Sequence, residues 1–334
     1  MTSRPLRTAL IGFGNIAAGY ADDRLTARYY PYATHAQVLS VHPGFEWGAV
    51  VDISEERLQF ARSRWGVPYV TSSVEKLLDL YQPEVAVIAT SPEVRYQIIG
   101  QLTDLRAVIV EKPLGINEHE ARLFLDKCNQ NGLTVQVNLW RRADETFNSL
   151  ADGQMEELIG APQAVIGIYG NGLLNNGTHM VDFVRMLFGE IDDVQVLGRP
   201  NAVSMSKIAG DIDVSFCMQM RSGLVVTMHS VDFRHYRENS LDIWGENGRI
   251  SIHNEGLGIS FYPKGENRAV PKSFELQHDR PRTLPSTVGK ALYRMYDNFA
   301  ATLHEGHQLC SSGESAFLTT QTIQQVYCLA KSKK

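Results

Sequence analysis

The 334-residue chain is longer than a single core usually grows, so two domains are predicted. It holds 43% hydrophobic and 21% charged residues, the balance of a folded globular protein, and its formal charge of −5 with scattered basic residues argues against nucleic acid as a partner. MTSRPLR leads straight into an apolar strand and no apolar run approaches the roughly 20 residues of a membrane span, so neither a leader nor a membrane partner is expected. Cys128, Cys217, Cys310 and Cys328 form no CxxC pair and have no His at ligand spacing; no metal and no disulfide framework are predicted, and a cytoplasmic setting is.

From Thr8 the chain alternates short apolar runs with amphipathic stretches, the pattern of parallel strands joined by helices. Strands are predicted at Thr8 to Ile11, Trp47 to Val51, Val85 to Ala89, Ala107 to Val110 and Thr134 to Val137. Helices are predicted at Glu55 to Trp65, Val74 to Leu80, Glu93 to Leu102 and Glu118 to Asn131. The polar, tyrosine-rich Ala21 to Thr34 reads as a loop insertion. Past Arg142 strands dominate, at Ala164 to Tyr169, Val194 to Leu197, Val214 to Met220, Val225 to Ser230, Ser240 to Ile243 and Ile250 to His253, as in a largely antiparallel sheet. Helices are expected at Gly177 to Leu187, Val288 to His304 and Glu314 to about Ala330. The predicted fold is α/β, a doubly wound Rossmann domain over residues 1–137 followed by an α+β domain over 138–334, with the last helices packing back on the first domain.

ALIGFGNIA sets Gly12, Gly14 and Ala17 in GxGxxA spacing after the first strand and at the mouth of a helix. Gly12 permits a tight turn, Gly14 lets backbone approach a pyrophosphate, Ala17 keeps helix and strand close, and Asn15 and Ile16 offer amides at the helix start. The second strand ends in Asp52, the place of a carboxylate that accepts ribose hydroxyls; starting the next helix is the competing use of Asp52 or Ser54. No cation adjoins Asp52, so NAD is preferred to NADP, with Arg57 further along the helix as the nearest exception.

After the predicted fifth strand, AVIVEKPLG puts Glu111, Lys112 and Pro113 at the carboxyl edge of the sheet, where open α/β folds bind ligands. EKPLG behind a GxGxxA half, IATSPEVRY, GNGLLNNGTHMVD, LDIWGENGRISI and the closing YDNFAATLHEG with SGESAFLTTQTIQQV together resemble the glucose-fructose oxidoreductase and inositol dehydrogenase (Gfo/Idh/MocA) family over nearly the whole chain. The resemblance implies an NAD(P)-dependent dehydrogenase or reductase acting on a small sugar-like molecule. It makes Thr90 and Ser91, with Glu111 and Lys112, cofactor contacts, and Lys112 and His179 the catalytic pair.

Two positions depart from the family pattern. Asn175 stands where an aspartate is common four residues before the histidine, as in relatives resembling nucleotide-sugar dehydrogenases, and an amide can hold a hydroxyl but not take up a proton. Arg95 replaces a histidine common in its loop. Asp182 falls one turn beyond His179 on the same helix face. Trp140, Arg141 and Arg142 lie in a stretch that borders substrate in the family, the arginines suited to a carboxylate or phosphate or simply to solvent. Asn138, Asn171, Asn175 and Asn176 are candidates for sugar hydroxyls. The resemblance also implies a homodimer or homotetramer through the C-terminal sheet. Two alternatives stay open: an NAD-binding sensor without turnover, and reduction of an imine or linear tetrapyrrole.

Overall fold

The structure is a computed structural model that describes residues 4–203, 206 and 208–333. The chain divides into two compact units, one running to Ala143 and including Gly289–Thr320, the other Asp144–Val288 with the chain from Gln321 onward.

In the first unit six strands, β1 (Leu6–Ile11), β2 (Phe45–Val51), β3 (Tyr69–Thr71), β4 (Val85–Ile88), β5 (Ala107–Val110) and β6 (Thr134–Val137), form a parallel sheet in the order β3-β2-β1-β4-β5-β6. This is the doubly wound order, in which the progression of strands across the sheet reverses between β1 and β4 and opens a crevice there. The helices are α1 (Arg24–Tyr29), α2 (His35–Leu39), α3 (Glu55–Trp65), α4 (Val74–Leu80), α5 (Arg95–Gln101) and α6 (Glu118–Gln130). Ser54, Ser73 and Asn117 cap α3, α4 and α6, each side chain accepting the backbone N–H three residues on, which satisfies a donor that a helix start otherwise leaves unmet.

Both faces of the sheet are buried, which is why its strands read as continuous apolar runs. Ala9 and Ile11 join one core with Phe124 of α6 and Phe317; Leu10 faces the other with Met295, Tyr296 and Phe299. The expected loop at Ala21 to Thr34 instead contains α1, capped by Asp23. It escapes the sequence pattern because it buries no residue, and its Leu25 is 76% exposed.

The second unit contains α7 (Glu145–Ser149), α8 (Met155–Ile159), β7 (Pro162–Tyr169), α9 (Thr178–Phe188), β8 (Ile191–Ala202), β9 (Ile212–Met220), β10 (Val225–Ser230), β11 (Ser240–Gly245), β12 (Gly248–His253), β13 (Gly258–Glu266), β14 (Phe274–Leu276) and β15 (Arg282–Leu284). The sheet runs β14-β13-β12-β11-β7-β10-β9-β8, with β15 on β13; every pair is antiparallel except β7 with β10. Burial alternates along β9, so one face packs inward while outward positions such as Ile166, Leu197 and Val225 stay exposed. The sequence pattern did not reveal β13 to β15, which turn residues interrupt. The last helices are α10 (Ala291–Glu305), in the first unit, and α11 (Gly313–Ser332), within which the division between units falls. Among the described residues no helix is long and apolar enough to cross a membrane.

Candidate active site

Gly12, Asp52, Thr90, Glu111 and Asn138 all follow the carboxyl ends of strands of the first sheet, and the sheet order brings them along one edge. Gly12 has φ +86°, and a Cβ there would come within 2.9 Å of the Ala89 carbonyl and Thr90 Cγ2, so only glycine lets β1 end this close to β4. A Cβ on Gly14 would meet nothing within 4 Å, so that side of the loop is open to a ligand. The helix expected to follow is a single π turn, Asn15–Gly19, with Ala17 fully buried, Ile16 half-buried and Asn15 exposed. The polar insertion after it carries no apolar stripe to extend a helix, so the turn offers backbone amides and only a small summed dipole.

Asp52 is 6% exposed and ties the glycine loop to the next turn: Oδ2 accepts Phe13 N at 2.6 Å and Oδ1 accepts Ser54 N at 2.8 Å. Ser54, not Asp52, caps α3. Arg57 Nη1 lies 3.4 Å from Asp52 Oδ2, so the cation that the sequence sets five residues away sits beside the carboxylate. Thr90 Oγ1 is buried with no partner among the described residues, while Ser91 is exposed. An open glycine loop and an unmet buried hydroxyl at neighbouring strand ends fit a dinucleotide.

Arg95 holds the Lys112 segment from below. Its guanidinium is 1% exposed and donates to Glu111 O and Pro113 O at 2.5 Å each and to Thr90 O at 2.7 Å. Burial pulls it down to about 10, opposed by Glu111 and Glu93, and it remains a cation at neutral pH. The Glu111 side chain is buried and bonded within the protein, accepting Asn138 Nδ2 at 2.5 Å and lying 2.8 Å from His35 Nε2. Lys112 is half-buried and joined to Pro113 by a cis bond. Asn138 is 2% exposed, and its Oδ1 is buried and unmet among the described residues.

Trp140 stacks beneath the Arg141 guanidinium, 4.4 Å from its ring centroid, and meets Tyr30 edge-on at 6.3 Å. Of the two uses left open for these arginines, plain solvent exposure does not describe them, because Arg141 is 4% exposed and Arg142 half-buried; an aromatic ring and a short 3₁₀ turn draw them in.

In the second unit the residues from Gly170 to His179 form one turn that opens α9. Asn171 and Gly172 adopt positive φ, and a Cβ on Gly172 would overlap the Asp211 carboxylate. Asp213 Oδ1 accepts Gly172 N at 2.9 Å and Asp211 Oδ1 accepts Leu174 N at 2.8 Å. Burial raises both carboxyls above their ordinary range. Asn175 Nδ2 donates to Asn171 O at 3.2 Å and the buried Asn176 Nδ2 to Gly170 O at 2.8 Å, so these amides brace the turn; Asn171 Oδ1 is buried without a partner among the described residues. His179 is the half-buried second residue of α9, and Asp182 is buried 3.8 Å from Arg185.

Asp211, Asp213 and His35 were not singled out from sequence. Asp211-Ile212-Asp213 does carry a signal, since acids two apart at the head of an apolar strand share one side of it. His35 has no such cue: its partners lie 76 and 261 residues away.

Residues 6–139 match the profile of the GFO_IDH_MocA oxidoreductase family, described as having an NAD-binding Rossmann fold, and residues 164–251 match the GFO/IDH/MocA C-terminal domain. The chain is 30% identical over 160 residues to trans-1,2-dihydrobenzene-1,2-diol dehydrogenase of Oryctolagus cuniculus, a match spanning 42% of this chain and about half (48%) of that enzyme. It is 29% identical over 281 residues to the Homo sapiens enzyme of the same name, covering 78% and 79% of the two chains. Its fold is similar to that of the WlbA dehydrogenase from Bordetella pertussis, solved in complex with NADH and UDP-GlcNAcA, with TM-score 0.73, 17% identity and coverage of 99% and 98%. Two profiles in order over most of the chain, on a doubly wound sheet with an open glycine loop, carry the conclusion: the chain belongs to the Gfo/Idh/MocA family of oxidoreductases and has that family's NAD-binding Rossmann domain.

Proposed function

We propose that the protein is a dehydrogenase or reductase that moves a hydride between a nicotinamide and a CH–OH carbon of a sugar, nucleotide sugar or cyclitol. The observation that carries this is the strand-end row itself, with Lys112 on a clamped segment between the unmet polar atoms of Thr90 and Asn138. NAD, when bound, supplies the hydride acceptor or donor. Lys112, as an ammonium, steadies the substrate oxygen on which charge develops, and His179 takes up the hydroxyl proton in oxidation and returns it in reduction. Asn175 holds a hydroxyl without adding negative charge beside His179. Trp140, Arg141, Arg142, Asn138 and Asn176 border the substrate in this reading.

Purified protein with NAD is to be screened against free sugars, nucleotide sugars and cyclitols for cofactor-dependent absorbance change. Turnover on one of these classes supports the proposal. NAD binding with no turnover on any of them favours the sensor reading. A second substrate reading, a carbocyclic trans-diol, draws on the mammalian relatives' name and belongs in the same screen.

A homodimer or homotetramer through the outward face of the C-terminal sheet is part of the proposal, supported by exposed Ile166, Leu197 and Val225. Light scattering is expected to give a multiple of the chain mass, and a monomer at micromolar concentration would contradict it. A cytoplasmic setting is also proposed, in keeping with cysteines that offer no disulfide framework.

A further inference from the structure

Arg95 is the first residue of α5 and almost wholly buried. A cation in the first turn of a helix opposes the helix dipole, and burying it costs desolvation, so neither helix formation nor packing accounts for an arginine here. Its contacts account for it. Nη1 donates to Glu111 O and to Pro113 O at 2.5 Å each, the two carbonyls that flank Lys112. Nη2 and Nε donate to Thr90 O at 2.7 and 3.2 Å.

The register of β4 with β5 ends at Ile88 opposite Val110, and the bond from Glu111 N to Ile88 O at 3.0 Å closes it. Past that rung Pro92 and Pro113 have no N–H to carry the pairing on, so the carbonyls of both strand ends need donors from elsewhere. One planar guanidinium supplies them and stands in for a rung that the backbone cannot make. The two ends that it joins differ in what they face. Thr90 is packed on the glycine loop, its Cγ2 within 2.9 Å of where a Cβ on Gly12 would lie, and its Oγ1 is buried with no partner among the described residues. The other end carries Lys112 between the two gripped carbonyls.

We propose that Arg95 is a positioning residue for Lys112: one edge of its guanidinium holds the backbone on both sides of Lys112, the other holds Thr90, and Lys112 is thereby set at a fixed place relative to the glycine-loop wall of the cofactor site. This rests on the roles assigned to Lys112 and Thr90 above. The action is geometric, carried by the hydrogen bonds that Arg95 donates. A catalytic group displaced by about 1 Å can lose about 10²-fold in rate, so slack in the Lys112 segment is read in kcat.

The test is a double-mutant cycle on the whole protein with NAD and the substrate that the screen above yields, each variant checked for folding by circular dichroism at the assay temperature. Arg95→Met, which removes every donor, should lower kcat by about 10²-fold and leave the substrate KM little changed. Arg95→Lys keeps the charge, but a point donor cannot span both strand ends, and it should lower kcat by about tenfold. In a Lys112→Ala background the same changes should cost about twofold or less, the scatter of independent sites, because no amine is left to misplace; a merely structural Arg95 would cost the same in both backgrounds. NADH fluorescence titration, which needs no substrate, reads the Thr90 side, and the Kd should rise severalfold in Arg95→Lys. Wild-type kcat in folded Arg95→Lys, an equal loss in both backgrounds, or an unchanged NADH Kd would overturn the inference. Full turnover by Lys112→Ala would remove the reading of Lys112 and the inference together, and it shows itself without any change at Arg95.

Discussion

The Lys112 segment and the turn before His179 are held by opposite chemistries. Behind Lys112 a buried cation, Arg95, donates to three carbonyls. Ahead of His179 two acids, the buried Asp211 and the half-buried Asp213, accept backbone N–H groups. The backbone dictates the choice: past β4 and β5 carbonyls have left the ladder and need donors, whereas ahead of α9 amides have no intrahelical acceptor and need acceptors. The consequence is electrical. A guanidinium clamp is indifferent to ordinary pH, and a pair of burial-raised carboxyls is not.

The comparison is broken most strongly at the residues the clamps serve. His179→Ala or His179→Asn is expected to cut turnover by a factor of roughly 10² to 10⁴, the range for a lost general base, with NAD binding retained in titration calorimetry. Near-normal turnover would remove the proton role. Arg95→Ala comes next. Stripping a buried cation from three carbonyls should cost about 3–5 kcal/mol, read as a fall in the urea midpoint, and Arg95→His should recover part of it.

Asp211→Asn sharpens the contrast with a smaller loss, about 1–2 kcal/mol, because the amide oxygen still accepts Leu174 N. Its mark is the pH dependence. The folded carboxyl lies above its unfolded value, so the stability it contributes is complete below about pH 3.9, the unfolded value, and is lost as pH rises through the folded one. The wild-type advantage over Asp211→Asn should therefore grow between pH 7 and pH 4, whereas Arg95→Ala should show a constant gap. The smallest effect is expected at Asp52. NAD should bind more tightly than NADP, and Asp52→Ser should narrow that preference by on the order of tenfold, one charge-assisted bond of about 1.5 kcal/mol. Because Arg57 already lies against Asp52, NADP binding at parity in the wild type would show that Arg57 turns to a 2′-phosphate.

Most of the first sheet was legible because strands buried on both faces must be apolar throughout. β3 was not: it has three residues, of which Tyr69 is exposed. The glycine loop and Asp52 were legible from local spacing, whereas Lys112 and His179 were singled out by the family resemblance. What supports them was hidden, for a physical reason. Arg95 reads locally as a helix residue, and Asp211 and Asp213 act 37 and 41 residues away from the amides they hold. Only folding makes these neighbours.

Gly172 shows what such distant pairing means for how the sequence can drift. A methyl group there would collide with the Asp211 carboxylate and also sit on a backbone with φ +97°. Shortening Asp211 removes the first penalty and leaves the second, so the harms of Gly172→Ala and Asp211→Ala should combine to less than their sum. Two positions 39 apart in the chain thus share a single allowance of space, and tolerated change at one is conditional on the state of the other.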